Sequence, residues 1–132
     1  MTSNAATSIP EDRPLTQAEA ALVKWLLEHS TDEARALLPQ LDRARVVSRC
    51  SCGCASVDFS IDGKVAPSES GISVVSDYRW DSPEGYLFGV FAFAREGLLS
   101  GIDLWSIDGR ATASTLPDSS RRRRASEQFL TP

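Results

Sequence analysis

The run from Tyr86 to Ile107 constrains this chain most. Tyr86-Leu87-Phe88-Gly89-Val90-Phe91-Ala92-Phe93-Ala94 is followed by Arg95-Glu96-Gly97 and then by Leu98 to Ile107. Two segments rich in aromatic and aliphatic residues, separated by a short polar break ending in glycine, predict a β-hairpin. Side chains alternate between the faces of a strand. Here Phe88, Val90 and Ala92 alternate with Leu87, Phe91 and Phe93, so both faces of the first strand are apolar. Such a strand belongs in the middle of a sheet, with helices over one face and a loop or a second subunit over the other.

Helices are expected upstream. Thr16-Gln17-Ala18-Glu19 fits a capping box, in which the threonine hydroxyl accepts from the Glu19 amide and the glutamate reaches back. The helix it opens should run over residues 17–29, with Ala18, Ala21, Leu22, Trp25, Leu26 and His29 forming one apolar stripe. Ser30-Thr31-Asp32-Glu33 repeats the capping pattern ahead of Ala34, Leu37 and Leu38, and Pro39 should stop this second helix. From Arg45 the period changes to two. Val47, then Val57, Phe59 and Ile61, lead to the turn signal Asp62-Gly63, and Ile72 to Tyr78 make a further strand. The fold class expected is α+β: an N-terminal helical hairpin packed on a four- to five-stranded, mainly antiparallel sheet. Residues 1–12 read as a disordered leader, 13–115 as one domain and 116–132 as a disordered basic tail. Trp25 and Phe91 are expected to be largely buried.

With 132 residues the chain can bury one real core. No window approaches the roughly 18 apolar residues of a spanning helix, and Met1 to Thr7 lacks a basic region followed by an apolar run, so neither a membrane nor a secretory role is expected. The net charge is −4, and the basic run Arg121 to Arg124 leaves the rest more acidic still. Nucleic-acid binding by such a body is not expected. Three cysteines, an odd number, point to a reducing, cytoplasmic setting. Glycines stand singly, with neither a GxGxxG nor a Walker loop, and no serine sits in a nucleophile elbow. The balance leans away from an enzyme.

All three cysteines fall within Arg49-Cys50-Ser51-Cys52-Gly53-Cys54, so they constitute one site. In a regular strand Cys50 and Cys54 would stand about 13 Å apart, beyond the reach of one ion. Glycine at position 53 can fold the chain and bring the thiols together. Structural zinc wants four ligands, usually thiolates and imidazoles. The single histidine, His29, would complete a Cys3His set with Cys50, Cys52 and Cys54; otherwise a carboxylate, a water or a second subunit must serve. The alternatives are thiol-redox chemistry and plain packing of small thiols at the start of a strand.

A second candidate is the segment from Asp77 to Tyr86, expected as a loop between strands. Tyr78, Arg79, Trp80, Asp81 and Tyr86 are residue types that dominate protein interfaces. The leading functional expectation is therefore a small, non-catalytic, cytoplasmic protein-binding domain without a cofactor, whose partner is another protein or a second copy in a homodimer. The alternative is a zinc-binding or thiol-redox protein built on the cysteines.

Three stretches carry a resemblance: Arg13-Pro14-Leu15-Thr16-Gln17-Ala18-Glu19, the cysteine segment Arg49 to Cys54, and Leu99-Ser100-Gly101-Ile102-Asp103-Leu104-Trp105-Ser106-Ile107-Asp108-Gly109. Together they resemble a family of small uncharacterised bacterial proteins of similar length, over residues 13–110. The resemblance implies no activity and no catalytic residue. Some small acidic bacterial domains of this shape act as immunity or antitoxin partners, an analogy of fold and size.

Overall fold

The computed structural model describes residues 8–67 and 69–117 and the backbone of 122–124. In chain order its elements are β1 (Ser8–Pro14), α1 (Gln17–Glu28), α2 (Asp32–Arg35), α3 (Leu38–Leu41), β2 (Ala44–Cys50), β3 (Val57–Ile61), β4 (Ser73–Asp81), β5 (Leu87–Arg95), β6 (Leu98–Ser106) and β7 (Arg122–Arg124). The strands form one sheet in the order β1-β2-β3-β6-β5-β4-β7, and every pair is antiparallel. The hairpin of β5 and β6 lies at its middle, joined by a two-residue turn in which Arg95 pairs with Leu98. No helix of the described residues is long and apolar enough to cross a membrane.

The expected helical hairpin on four or five strands is corrected by this arrangement. The molecule is sheet-dominated, with one helix of 12 residues and two single turns of 4 residues each. The second helix fails to extend for a local reason. Thr31, not Ser30, caps it by accepting from the Ala34 amide, and the chain breaks after one turn. Pro39 then sits in the first turn of α3, where its missing N–H costs nothing, so it opens a helix where it was expected to end one.

The apolar stripe of α1 is also rotated from the one expected. Leu22, Val23, Leu26 and Leu27 are buried, together with Glu19, while Ala18, Ala21 and His29 face solvent. Trp25 is half-buried at the edge of the stripe, stacked on His29 with ring centroids 4.6 Å apart and edge-on to Tyr78 at 4.7 Å. The leucine and valine methyls fill the space over the sheet, and the larger ring is left to seal its margin. They pack on Val46, Phe59, Tyr78, Phe88, Val90, Ala92, Ile102 and Leu104, which alternate onto the helix side of the sheet. Residues 111–117 finish this layer: Ala113 is buried, and its carbonyl accepts from the Ala55 amide. Phe91 is half-buried on the opposite face.

Residues 8–12, expected in the leader, instead begin β1. Their burial alternates, with Ile9, Glu11 and Arg13 turned inward. Two of those three are charged, which hides the strand from a search for apolar periodicity. The ladder to β2 supplies backbone hydrogen bonds, and ions supply the rest: Arg13 pairs with Glu11 and Glu19, Arg49 with Glu11, and Arg45 with Asp12. In the expected tail, Arg122–Arg124 pair with β4 as β7; residues 1–7, 118–121 and 125–132 lie outside the described set.

Two predictions follow from the core and its N-terminal clasp. A Cβ added at Gly101 would lie 2.5 Å from the Val57 carbonyl oxygen and 2.9 Å from the Phe93 ring. Since the oxygen belongs to the backbone, Gly101→Ala must push β3 away from β6 and should cost at least about 1–3 kcal/mol, read as a fall in Tm. The second concerns Glu19. Burial pushes its carboxyl up, but the Arg13 guanidinium at 2.9 and 3.1 Å and the Thr16 amide at 2.9 Å outweigh burial and hold it below the ordinary value. A depressed carboxyl stabilises the fold fully above its unfolded value and loses that contribution as pH falls through the folded one. Denaturation from pH 7 down to about pH 3 should therefore show a stability loss that Glu19→Gln flattens.

Candidate metal centre

The cysteine site grows out of the connection between β2 and β3. Cys50 is the last residue of β2, and the pairing of Arg49 with Val57 holds the hairpin stem. Beyond it the chain folds sharply. Gly53 takes φ 97°, a conformation that costs a side-chain-bearing residue dearly, and residues 51–54 form a turn. The result is convergence: the three Sγ atoms all lie within 4.8 Å of one another. Cys50 and Cys54 are half-buried, Cys52 is exposed, and all three are free thiols. Three cysteines this close can hold a metal ion.

Hydrogen bonds run around the cluster in sequence order. The Cys50 thiol donates to Cys52 Sγ at 2.7 Å; the amide of Cys52 points at Cys50 Sγ and that of Cys54 at Cys52 Sγ, each at 3.4 Å. Burial, and the S–H it donates to Cys52, push Cys50 up to about 12. The S–H received from Cys50, with the Cys54 side chain and amide beside it, holds Cys52 below the usual thiol range. Of these two thiols, the exposed one gives up its proton the more readily. The backbone N–H groups that face the sulfurs favour thiolates, the protonation state a metal requires.

Two residues that the spacing did not disclose complete the surroundings. Ser56 Oγ accepts from the Cys54 thiol at 3.3 Å and from the Leu104 amide at 2.8 Å, and it donates to Asp103 Oδ1 at 2.7 Å. It thus ties the cysteine turn to β6. Ser56 and Asp103 stand 47 positions apart, so only the β3–β6 pairing brings them together.

His29 is not brought to the cysteines. It caps the C-terminus of α1, where its Nδ1 lies 2.9 Å from the Trp25 carbonyl and its own carbonyl accepts from the Tyr78 hydroxyl. Tyr78 is on β4, and β3, β6 and β5 stand between that strand and β2. At roughly 4.8 Å per strand this places the imidazole about 19 Å away across the sheet. The Cys3His set is therefore corrected to three cysteines.

The aromatic segment is rearranged as well. Most of the expected loop is strand: β4 continues to Asp81, pairing Trp80 with Phe88, and only Ser82 to Tyr86 make the turn. Tyr78 and Trp80 are core residues, each 4% exposed, because alternation along β4 sends them toward the helices. Arg79 and Asp81 lie half-buried on the other face, and Tyr86 is half-buried with the Arg110 guanidinium 4.9 Å from its ring centroid. The five residues do not share a surface.

No family model, curated protein or solved structure matches the chain.

The cysteine turn contributes no side chain to the core cluster, whose members are aliphatic and aromatic groups on the sheet and helices. In metal-free protein, replacing Cys50, Cys52 and Cys54 together by Ser should leave the far-UV circular dichroism unchanged and cost no more than surface substitutions do, about 0.5 kcal/mol each; any stability that a bound metal adds should be lost with them.

Proposed function

We propose that this protein is a metal–thiolate protein in which Cys50, Cys52 and Cys54 hold one zinc ion. The observation that carries the reading is the convergence of three sulfurs within 4.8 Å around Gly53. Zinc–sulfur bonds of about 2.3 Å in a tetrahedron put sulfurs about 3.8 Å apart, between the 2.7 Å that separates Cys50 Sγ from Cys52 Sγ and the 4.8 Å within which all three lie. Soft thiolates favour zinc or a monovalent copper ion over hard cations. With His29 remote, three protein ligands leave the fourth position to water or to a ligand from outside, the arrangement of zinc sites that exchange ligands.

Protein purified without added metal should carry zinc in a 1:1 ratio by elemental analysis. Exchange for cobalt(II) should give a thiolate-to-metal charge-transfer band that Cys52→Ser weakens and His29→Ala leaves untouched. Metal-free protein with three freely titrating thiols and no cobalt band defeats the proposal. A thiol-redox protein would instead yield a Cys50–Cys52 disulfide under mild oxidant, 2 Da lighter by mass spectrometry.

A second reading, a non-catalytic protein-binding domain, is supported by the exposed apolar side chains of Ile72, Val74 and Trp105, in place of Tyr78 and Trp80. Sedimentation velocity across a hundredfold concentration range tests self-association: a strictly monomeric boundary removes the homodimer.

A further inference from the structure

The face of the sheet away from the helices carries a groove. Phe91 and Phe93 form its floor, their ring centroids 5.9 Å apart, and its walls include Ile72, Asp58, Asp103 and Arg95, enclosing about 320 Å³. A second hollow of about 240 Å³, under Val65 and Ala66 of the β3–β4 connection, shares Asp58, Phe93 and Arg95 with it. Arg95 is thus the cation common to both, and its guanidinium lies 5.7 Å from the Phe93 ring centroid.

The charged groups of the larger groove differ in one respect. Arg49 is paired with Glu11, Asp58 accepts from the Ser48 hydroxyl, and Asp103 accepts from Ser56. Arg95 has no such partner: its Nε is buried with no hydrogen-bond acceptor among the described residues. A buried donor left unpaired costs about 1–3 kcal/mol, and native proteins leave few. The Nε itself is closed off from the groove, but no carboxylate of the described residues pairs with the guanidinium, so the rest of the fork is left for a ligand.

We propose that this groove binds a small monocarboxylate with an aromatic or apolar body, its carboxylate on Arg95 and its body on Phe91 and Phe93. The planar guanidinium fork matches a carboxylate. Asp58 and Asp103 in the same lining disfavour a doubly charged phosphate, and the aromatic floor gives nothing to a small inorganic anion. The volume sits at the lower end for small-molecule sites, which suits a ligand of one ring and a short chain. The groove adjoins the proposed zinc site, since Cys50 is part of its lining, but no step of the binding uses a metal.

The test titrates the full chain with 3-phenylpropionate and follows backbone amide shifts by NMR. Shifts concentrated on residues 91–95 and on Asp103 are expected. Arg95→Gln should weaken binding roughly tenfold to a hundredfold, the worth of one charge-assisted contact, with Arg95→Lys in between. Should the glutamine variant fail to fold, the unaltered protein still decides: the neutral 3-phenylpropan-1-ol should bind at least about tenfold more weakly than the acid. Equal binding of acid and alcohol, unchanged affinity in Arg95→Gln, shifts confined to other regions, or inorganic phosphate binding as tightly as the acid would each overturn the proposal.

Discussion

The architecture depends on a short join. β3 and β6 pair through only two registered positions, Val57 with Ile102 and Asp58 with Gly101, yet this contact links the N-terminal strands β1, β2 and β3 to the hairpin and β4. Gly101 lets the backbones come close, because any Cβ there would strike the Val57 carbonyl. Ser56 extends the join by one residue, bonding both to the Leu104 amide and to Asp103, and Ala55 extends it again through Ala113. Both candidate sites lie along this seam. The cysteine turn is the loop that Ser56 anchors, and the groove is the depression over Asp58, Phe93 and Asp103 where the two halves meet.

The two faces of the sheet are finished in different ways. On one, α1 and residues 111–117 cover aliphatic and aromatic side chains with close packing, and polar groups are few and satisfied: Ser76 donates to the Leu26 carbonyl at 2.9 Å. On the other, Phe91, Phe93 and Trp105 lie among Asp58, Arg79, Arg95 and Asp103, with no helix of the described residues above them. Trp105, 46% exposed, lies against Gly89, where an added Cβ would sit 2.6 Å from its Nε1. A face that mixes rings and charges can stay open to water where a wholly aliphatic one could not, and that same mixture is what a ligand site requires.

Sequence patterning disclosed the elements whose side chains do the stabilising. The hairpin was visible because Phe88, Val90 and Ala92 alternate with Leu87, Phe91 and Phe93; the start of α1 was visible because Thr16 and Glu19 form the capping box that the structure contains. β1 was hidden because Glu11 and Arg13 occupy positions where a pattern search looks for apolar groups. The extension of β4 through Asp81 was hidden because tyrosine, arginine, tryptophan and aspartate suit a loop as readily as a strand buried on one side. In the site, the possibility of a turn at Gly53 was legible from one glycine among three cysteines. The remoteness of His29 was not, since it follows from strand order, a property of pairings between distant segments.

The charges along β1 have a bearing beyond holding that strand in place. A seven-stranded open sheet has two edges, and an edge with free N–H and C=O groups is a template on which another chain can add a strand. At one edge, β1 carries Pro10, which has no N–H to offer, an irregular register between Pro10 and Arg13, and ionic groups turned inward. At the other, β7 is only three residues long, and a very short edge strand is a poor template for a further one. Both features disfavour growth of the sheet by strand addition, which favours association across a face over association along an edge.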